Sequence, residues 1–317
     1  MPQLRHTKTP KTELISPQTV ERPETVEEAV NPIRVTALVV SCNRADLLRR
    51  ALESLEKSKD REKLEILVAD NGSTDGSAQL ESDFPNVRFI RMPRNFGLTK
   101  ALNIGLRGAA GEFFFLLHED TEVAPETVSV LAGILETQSD VGAACPLLVT
   151  AEGRPAPQIS ELPAPGRTTV SWRPADPALG EQAVEYARGA AMMLRSISIR
   201  AMRQIDEKYG TYGSDAELCF QVQRAGKKVL LVPSTRVVHH GRTEMDVRDR
   251  AARDADAKLG MGVYIAKHYG LVSGLLFRIS AVLGAFGGLL AFRDFRYHLA
   301  LLGALWAGQK IDGTQAQ

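Results

Sequence analysis

Cysteine is scarce in this chain. The three that occur, Cys42, Cys145 and Cys219, are far apart and odd in number. They form neither a disulfide framework nor a metal-ligand pattern, which fits a reducing, cytoplasmic compartment. Each reads as a small buried apolar residue rather than a reactive thiol. An excess of one charge is also missing: the formal net charge is +1 over 317 residues. No basic field points to nucleic acid, and none is expected as a partner. Glycine is absent from the first strand–helix turn, SCNRAD at 41–46. A dinucleotide-binding unit needs glycine there so that backbone can approach a pyrophosphate, which argues against a nicotinamide or flavin dehydrogenase. A GxxxxGK[ST] loop is absent too, which argues against that type of nucleoside-triphosphate hydrolase. Residues 1–33 have no apolar core of a secretory signal. They hold five prolines and five threonines among scattered charges and read as a mobile tail.

What is present is ordinary for a globular protein: 44% hydrophobic and 24% charged residues. VTALVVS (35–41), LEILVAD (64–70), VRFIRM (87–92) and FFFLL (113–117) read as strands separated by helical stretches, with Asp46 as the expected cap of the first helix. Strand–helix alternation with short connections predicts an α/β fold with a mostly parallel sheet flanked by helices. VGAACPLLV (141–149) predicts a fifth strand, YARGAAMMLRS (186–196) a strand entering a helix, and KVLLVP and TRVVH two further short strands. Six prolines between 150 and 180 predict a long irregular loop beside the site.

Three stretches could carry chemistry. GEFFFLLHEDTEV (111–123) runs a buried strand into His118, Glu119 and Asp120, where an open α/β sheet places ligand chemistry. Asp120 could hold a divalent metal against a diphosphate, or these acids could only cap and solvate the next helix. SDAELCFQVQRAG (214–226) opens a helix with Asp215 and Glu217, which alone would be ordinary first-turn acids, and His239-His240 ends a strand. Gly189-Ala190-Ala191 allows close approach of a ligand or of another backbone. Trp172, the large aromatic residue of the proline-rich loop, could stack on a ligand or pin the loop to the core.

Together, VVSCNR (39–44), VADNGSTDGS (68–77), RNFGLTKALNIGL (94–106), FLLHEDTEV (115–123), RGAAMMLRS (188–196), SDAELCFQVQRAG (214–226) and VPSTRVVHHG (232–241) resemble a family 2 glycosyltransferase of the GT-A fold, in its rhamnosyltransferase-like branch. The resemblance implies a nucleotide-diphosphate sugar donor, a divalent metal (Mn²⁺ or Mg²⁺) and an inverting transfer of a hexose or rhamnose to a glycan or lipid-linked glycan in cell-surface polysaccharide assembly. It assigns Asp70 to the base, and Ser41, Asn43 and Arg44 to the nucleotide wall. Asn95, Gly97, Asn103 and Glu119 fall beside the donor, and Asp120, His239 and His118 at the metal. Asp215 becomes the general base, with Glu217 as a second candidate or an orienting group. Gly189, Ala190 and Trp172 fall on the acceptor side. Two departures stand out: His118 occupies a position commonly Asn or Asp, and Ser214 one commonly Glu. They support the rival reading of a catalytically silent nucleotide-sugar binding subunit, but Asp120 and Asp215 are kept, so activity is expected.

The expected plan is a tail at 1–33, a transferase domain at 34–245 and a helical region at 246–317. The latter contains ISAVLGAFGGLLAF, 14 residues without a charge, flanked by Arg278 and Arg293. That is shorter than the ~20 residues needed to span a bilayer. Two readings stay open. The helices lie on the inner face of the cell membrane with Arg278, Arg293, Arg296 and Lys310 at the headgroups, or they form a core or homo-oligomer contact. Lipid-linked acceptors in the resembled branch favour the membrane surface.

Overall fold

Residues 33–167, 169–241, 246–291 and 294–308 are described by the computed structural model. The expected tail, apart from Ile33, lies outside them, as do Arg293 and Lys310. The first half runs β1 (Val35–Ser41), α1 (Ala45–Glu56), β2 (Leu64–Asp70), a one-turn α2 (Leu80–Asp83), β3 (Val87–Arg91), α3 (Leu98–Gly108), β4 (Phe113–His118), β5 (Thr121–Val123), α4 (Thr127–Thr137) and β6 (Val141–Val149). The short strands β7 (Pro157–Ser160), β8 (Arg173–Pro174), β9 (Gln182–Val184) and β10 (Tyr186–Ala187) follow. The chain continues through β11 (Ala191–Arg195), α5 (Ser196–Ala201), α6 (Ser214–Arg224), β12 (Lys228–His239), α7 (Val247–Tyr269), α8 (Leu271–Leu290) and α9 (Phe295–Ala307).

The two-residue period of a strand explains the layers. Ala37 and Val39 of β1 join one core with Phe113, Phe115 and Leu117 of β4, whereas Leu38 and Val40 join a second with Phe114 and Leu116. Helices α1 and α4 cover the first face through Leu48, Leu52, Leu131 and Leu135. Helices α3, α6 and α7 cover the other through Leu102, Cys219 and Tyr264. Burying each large side chain contributes about 1.5–3 kcal/mol, more than the ~1 kcal/mol spread of strand propensities, so packing on both faces decides the fate of this apolar run.

The principal sheet has the order β3-β2-β1-β4-β11-β6-β12-β5, with β9 also on β12. It is a mixed sheet in which β1, β2, β3, β4, β6 and β12 run in one direction. β1, β2, β3 and β4 run parallel, but β11 is antiparallel to both β4 and β6. The two strands expected at 228–239 are one strand, β12, whose pairing with β6 slips between Val232 and Arg236. The proline-rich stretch is not wholly irregular. β7 pairs with both β10 and β8 in a small second sheet, with Pro157 opening β7 and Pro174 closing β8, where a missing N–H is tolerated. Asp46 does not cap α1; Asp75, from the loop after β2, accepts the Ala45 N–H at 2.9 Å.

The C-terminal helices belong to the same compact unit as the sheet. The charge-free run is part of a longer helix, since α8 begins at Leu271 and continues through Arg278. Glu217 ties α6 to α7. It is buried and accepts hydrogen bonds from Tyr209 Oη at 2.6 Å and Gln221 Nε2 at 2.8 Å, with His268 Nε2 at 2.8 Å and Lys267 Nζ at 3.1 Å. Burial alone would raise its pKa, but the bonds from Tyr209, Gln221, His268 and Lys267 prevail and lower it to about 2.

A depressed carboxyl stabilises the fold above its unfolded pKa, and this contribution fades as pH falls from 4.5 to about 2. Glu217→Gln is therefore expected to destabilise the protein at neutral pH by roughly 3 kcal/mol, with a flatter stability profile below pH 4.5. Urea unfolding across pH checks this; an unchanged midpoint at neutral pH would contradict it.

Candidate active site

Register brings the chemistry to one edge of the sheet. Ser41 pairs with Asp70 across β1 and β2, and Val40 with His118 across β1 and β4, so the loops after all three strands emerge together. β12 places His239 opposite Thr121, and the His240 N–H donates to the Asp120 carbonyl at 2.9 Å. One ligand atom from each of His118, Asp120 and His239 lies within 4.8 Å of the others.

Asp120 is buried, yet its Oδ1 accepts no hydrogen bond among the described residues. His239 Nε2 lies 3.4 Å from that oxygen and His118 Nδ1 4.0 Å, both without good alignment. On the other oxygen, Arg44 Nη1 stands at 3.7 Å, and the same guanidinium is 3.8 Å from Glu119. Burial would raise the Asp120 pKa; His239, His118 and Arg44 overcome it and hold the carboxyl well below the usual range. Burial also dominates at His118, pulling its imidazole below its ordinary value against the opposing pull of Asp120. An ionised carboxylate with an orphaned oxygen, beside a ring biased towards its neutral form, fits a divalent metal.

A cavity of about 1120 Å³ opens at this edge. Ser41, Asn43, Arg44, Asn95, Gly97, Glu119, Asp120, His118 and His239 all line it. Asn43 has a left-handed backbone, φ 54°, which asparagine tolerates, and its Oδ1 accepts the Thr74 N–H at 2.7 Å. Asn71, which the sequence reading passed over, also lines the cavity. It donates to Asn95 Oδ1 at 2.7 Å and accepts from the Phe96 N–H at 2.9 Å, shaping the turn that carries Gly97.

Two expected donor residues point elsewhere. Asp70 is buried and does not line the cavity; its Oδ1 accepts the Ser73 N–H at 2.9 Å and holds the loop. Asn103 is buried on α3 and staples the backbone of Ile205, donating to its carbonyl at 2.8 Å and accepting its N–H at 2.9 Å. Both ends of this side-chain amide are taken by the backbone of one residue, away from the cavity.

Asp215 reaches the same cavity from the first turn of α6. Tyr186 Oη donates to its Oδ1 at 2.7 Å, and the Gly189 N–H to its Oδ2 at 3.2 Å. A Cβ at Gly189 would stand 2.8 Å from Asp215 Cβ, so the small residue is required by this approach. Trp172 and Arg188 also line this part, with the guanidinium 4.7 Å over the indole. Ala190 is core instead, its carbonyl accepting the His118 N–H at 3.0 Å. Glu217 faces α7 rather than the cavity, its acceptors occupied as described, so it is not a second base here. Tyr186 and Arg188 were missed as site residues, although both flank the small-residue run. Arg253, Lys258 and Tyr297 complete the lining from α7 and α9, and no sequence pattern signalled them.

Residues 36–200 match the family model described as "Glycosyl transferase family 2". An N-acetylglucosaminyl-diphospho-decaprenol L-rhamnosyltransferase of Mycobacterium tuberculosis is 27% identical over 220 residues, covering 61% of this chain and 71% of the relative. A pre-mycofactocin glycosyltransferase of the same organism is 28% identical over 228 residues, 70% of this chain and 45% of that protein. Among solved structures, S. aureus TarS 1–349 in complex with UDP-GlcNAc aligns with TM-score 0.59 and 14% identity, over 86% of this chain and 79% of that one. Mannosyltransferase PcManGT from Pyrobaculum calidifontis, in complex with GDP-Man and Mn²⁺, aligns with TM-score 0.55 and 16% identity, over 87% and 88%. These structural likenesses establish the GT-A architecture. Asp215 and His239 fall beyond the matched span, but that span takes in 165 of 317 residues, including Arg44, His118, Asp120 and the β11 strand that joins the two halves of the sheet. The chain belongs to glycosyl transferase family 2.

Proposed function

We propose that this glycosyltransferase moves a hexose or rhamnose, with inversion, from a nucleotide-diphosphate sugar to a lipid-linked glycan during cell-surface polysaccharide assembly. One observation carries the reading: Asp215 and the His118–Asp120–His239 group line one cavity from different elements, α6 against β4 and β12. Asn43, Asn71 and Asn95 shape the donor wall, and Arg44 supplies positive charge beside Glu119 and Asp120. The acceptor hydroxyl gives its proton to Asp215 as its oxygen bonds to the anomeric carbon. The bond from that carbon to the diphosphate oxygen breaks, and its electron pair leaves with the nucleoside diphosphate. A divalent cation held by His118, Asp120 and His239 would neutralise the charge building on that leaving group. Two imidazoles beside one carboxylate favour Mn²⁺ over Mg²⁺. The rhamnosyltransferase relative, named for a diphospho-decaprenol acceptor, supports the acceptor class.

The acceptor would be met at a membrane. Helix α8 is long and apolar enough to cross a bilayer by length and composition, and only 17% of its most apolar window is buried. Leu271, Leu275, Leu276, Leu283 and Leu290 on α8, with Leu299 and Trp306 on α9, are exposed. Tyr297 and Ala304 of α9 line the cavity, so this apolar surface and the site share a helix. The face fits helices resting in the bilayer interface at the cytoplasmic side.

Asp215→Asn is expected to lower transfer by about 10²–10⁴-fold, the range of a lost general base, while donor affinity holds. Steady-state kinetics with calorimetric donor titration checks this, and an unimpaired rate would remove Asp215 from the chemistry. Replacing Leu275, Leu276 and Leu283 together by serine is expected to abolish co-flotation with anionic phospholipid vesicles. Undiminished flotation would remove the α8 face as the contact.

A further inference from the structure

Asp215 is held more firmly on one oxygen than on the other. Tyr186 Oη donates to Oδ1 at 2.7 Å and the Ala216 N–H to the same atom at 2.9 Å. Oδ2 has a longer contact, the Gly189 N–H at 3.2 Å. Tyr186 is fixed in turn by the proline-rich loop: its ring centroid is 4.7 Å from that of Trp172, tilted by 54°. Arg188 lies over the same indole at 4.7 Å. The indole is thus packed against two side chains of the chain itself, which makes it an anchor for the loop rather than a platform for a sugar ring.

We propose that Tyr186 is a positioning residue for the transfer: it locks Oδ1 of Asp215 so that Oδ2 faces the acceptor hydroxyl and takes its proton, and Trp172 holds Tyr186 in place. This rests on Asp215 being the base. The proton leaves the acceptor oxygen for Oδ2, the new bond forms between that oxygen and the anomeric carbon, and the pair from the broken bond departs with the nucleoside diphosphate. Tyr186 stays protonated throughout. Burial, the largest influence, and then the neighbouring Asp215 raise its pKa well above the ordinary value. The hydroxyl is therefore a fixed donor and not a second base. The arrangement couples the loop to the reaction: ordering of residues around Trp172 by an acceptor would be felt at the carboxylate through Tyr186.

The test is a double-mutant cycle. Tyr186→Phe, Asp215→Asn and the double variant are compared for kcat, acceptor KM and donor Kd, with thermal melts confirming folding. Tyr186→Phe is expected to lower kcat about 10–100-fold with KM and Kd moved less than about twofold; in the Asp215→Asn background the same change costs less than about twofold. A structural role would instead carry its full cost into both backgrounds, and that additive result overturns the proposal. Loss of donor binding by Tyr186→Phe would overturn it as well. Trp172 supplies an independent arm: Trp172→Phe keeps most of kcat and Trp172→Ala loses it, again only when Asp215 is present. Full activity of Asp215→Asn alone would defeat the base assignment first, and the positioning role with it. Failure of the cycle with an inactive Asp215→Asn defeats only the positioning role.

Discussion

A buried carboxylate that lacks a full set of hydrogen bonds is the constraint around which this molecule is arranged. Taking Asp120 out of water costs several kcal/mol unless opposite charge or strong donors compensate. Compensation arrives from three distant parts of the chain: Arg44 after β1, His118 at the end of β4 and His239 at the end of β12. Arg44 and His239 reach Asp120 only because β1 pairs with β4 in register and β12 runs antiparallel to β5. The sheet order thus follows from packing on two faces, but its functional consequence is the delivery of one acid and two imidazoles to a single point. Among the described residues one oxygen remains without a hydrogen-bond donor, which leaves that point fitted for a cation.

The second half of the site is built on different material. Asp215 sits on a helix that the sheet supports from one side and α7 from the other. The Glu217 cluster, with Tyr209, Gln221, Lys267 and His268, fastens that second side. Two acids on one turn of α6 therefore take opposite roles. Asp215 faces the cavity, with Tyr186 and Gly189 on its oxygens, whereas Glu217 is enclosed by donors and holds helices together. Environment, not residue type, separates them.

This separation also marks how far the sequence could be read. The strands at 35–41, 64–70, 113–117 and 141–149 were legible because apolar runs of that length, carrying β-branched or aromatic residues, have few other fates. The acid–strand-end pattern at 118–120 was legible for the same reason. Side-chain partners were not. Asp70 and Asn103 lie in motifs that carry donor residues, but their hydrogen bonds go to Ser73 and Ile205, a choice made by loop geometry that spacing does not encode. Tyr186 looks like one more apolar strand residue until α6 packs beside it. Strand direction was hidden as well, since β11 and β6 have the composition of parallel strands and are made antiparallel neighbours by the long excursion through β7 to β10. The 14-residue charge-free run looked too short to span a bilayer because Arg278 interrupts the apolar pattern, although the helix itself is not interrupted.

In the proposed function the Asp120 group holds a metal-bound sugar nucleotide in the cavity that Asp215 serves. Calorimetric binding of a panel of nucleotide-diphosphate sugars, with Mn²⁺, with Mg²⁺ and with chelator, tests it most directly. The account predicts a donor that binds strongly with Mn²⁺, less well with Mg²⁺ and poorly with chelator, and that loses its metal dependence in Asp120→Asn. Donor binding indifferent to metal in the wild type, or unchanged by Asp120→Asn, would contradict it.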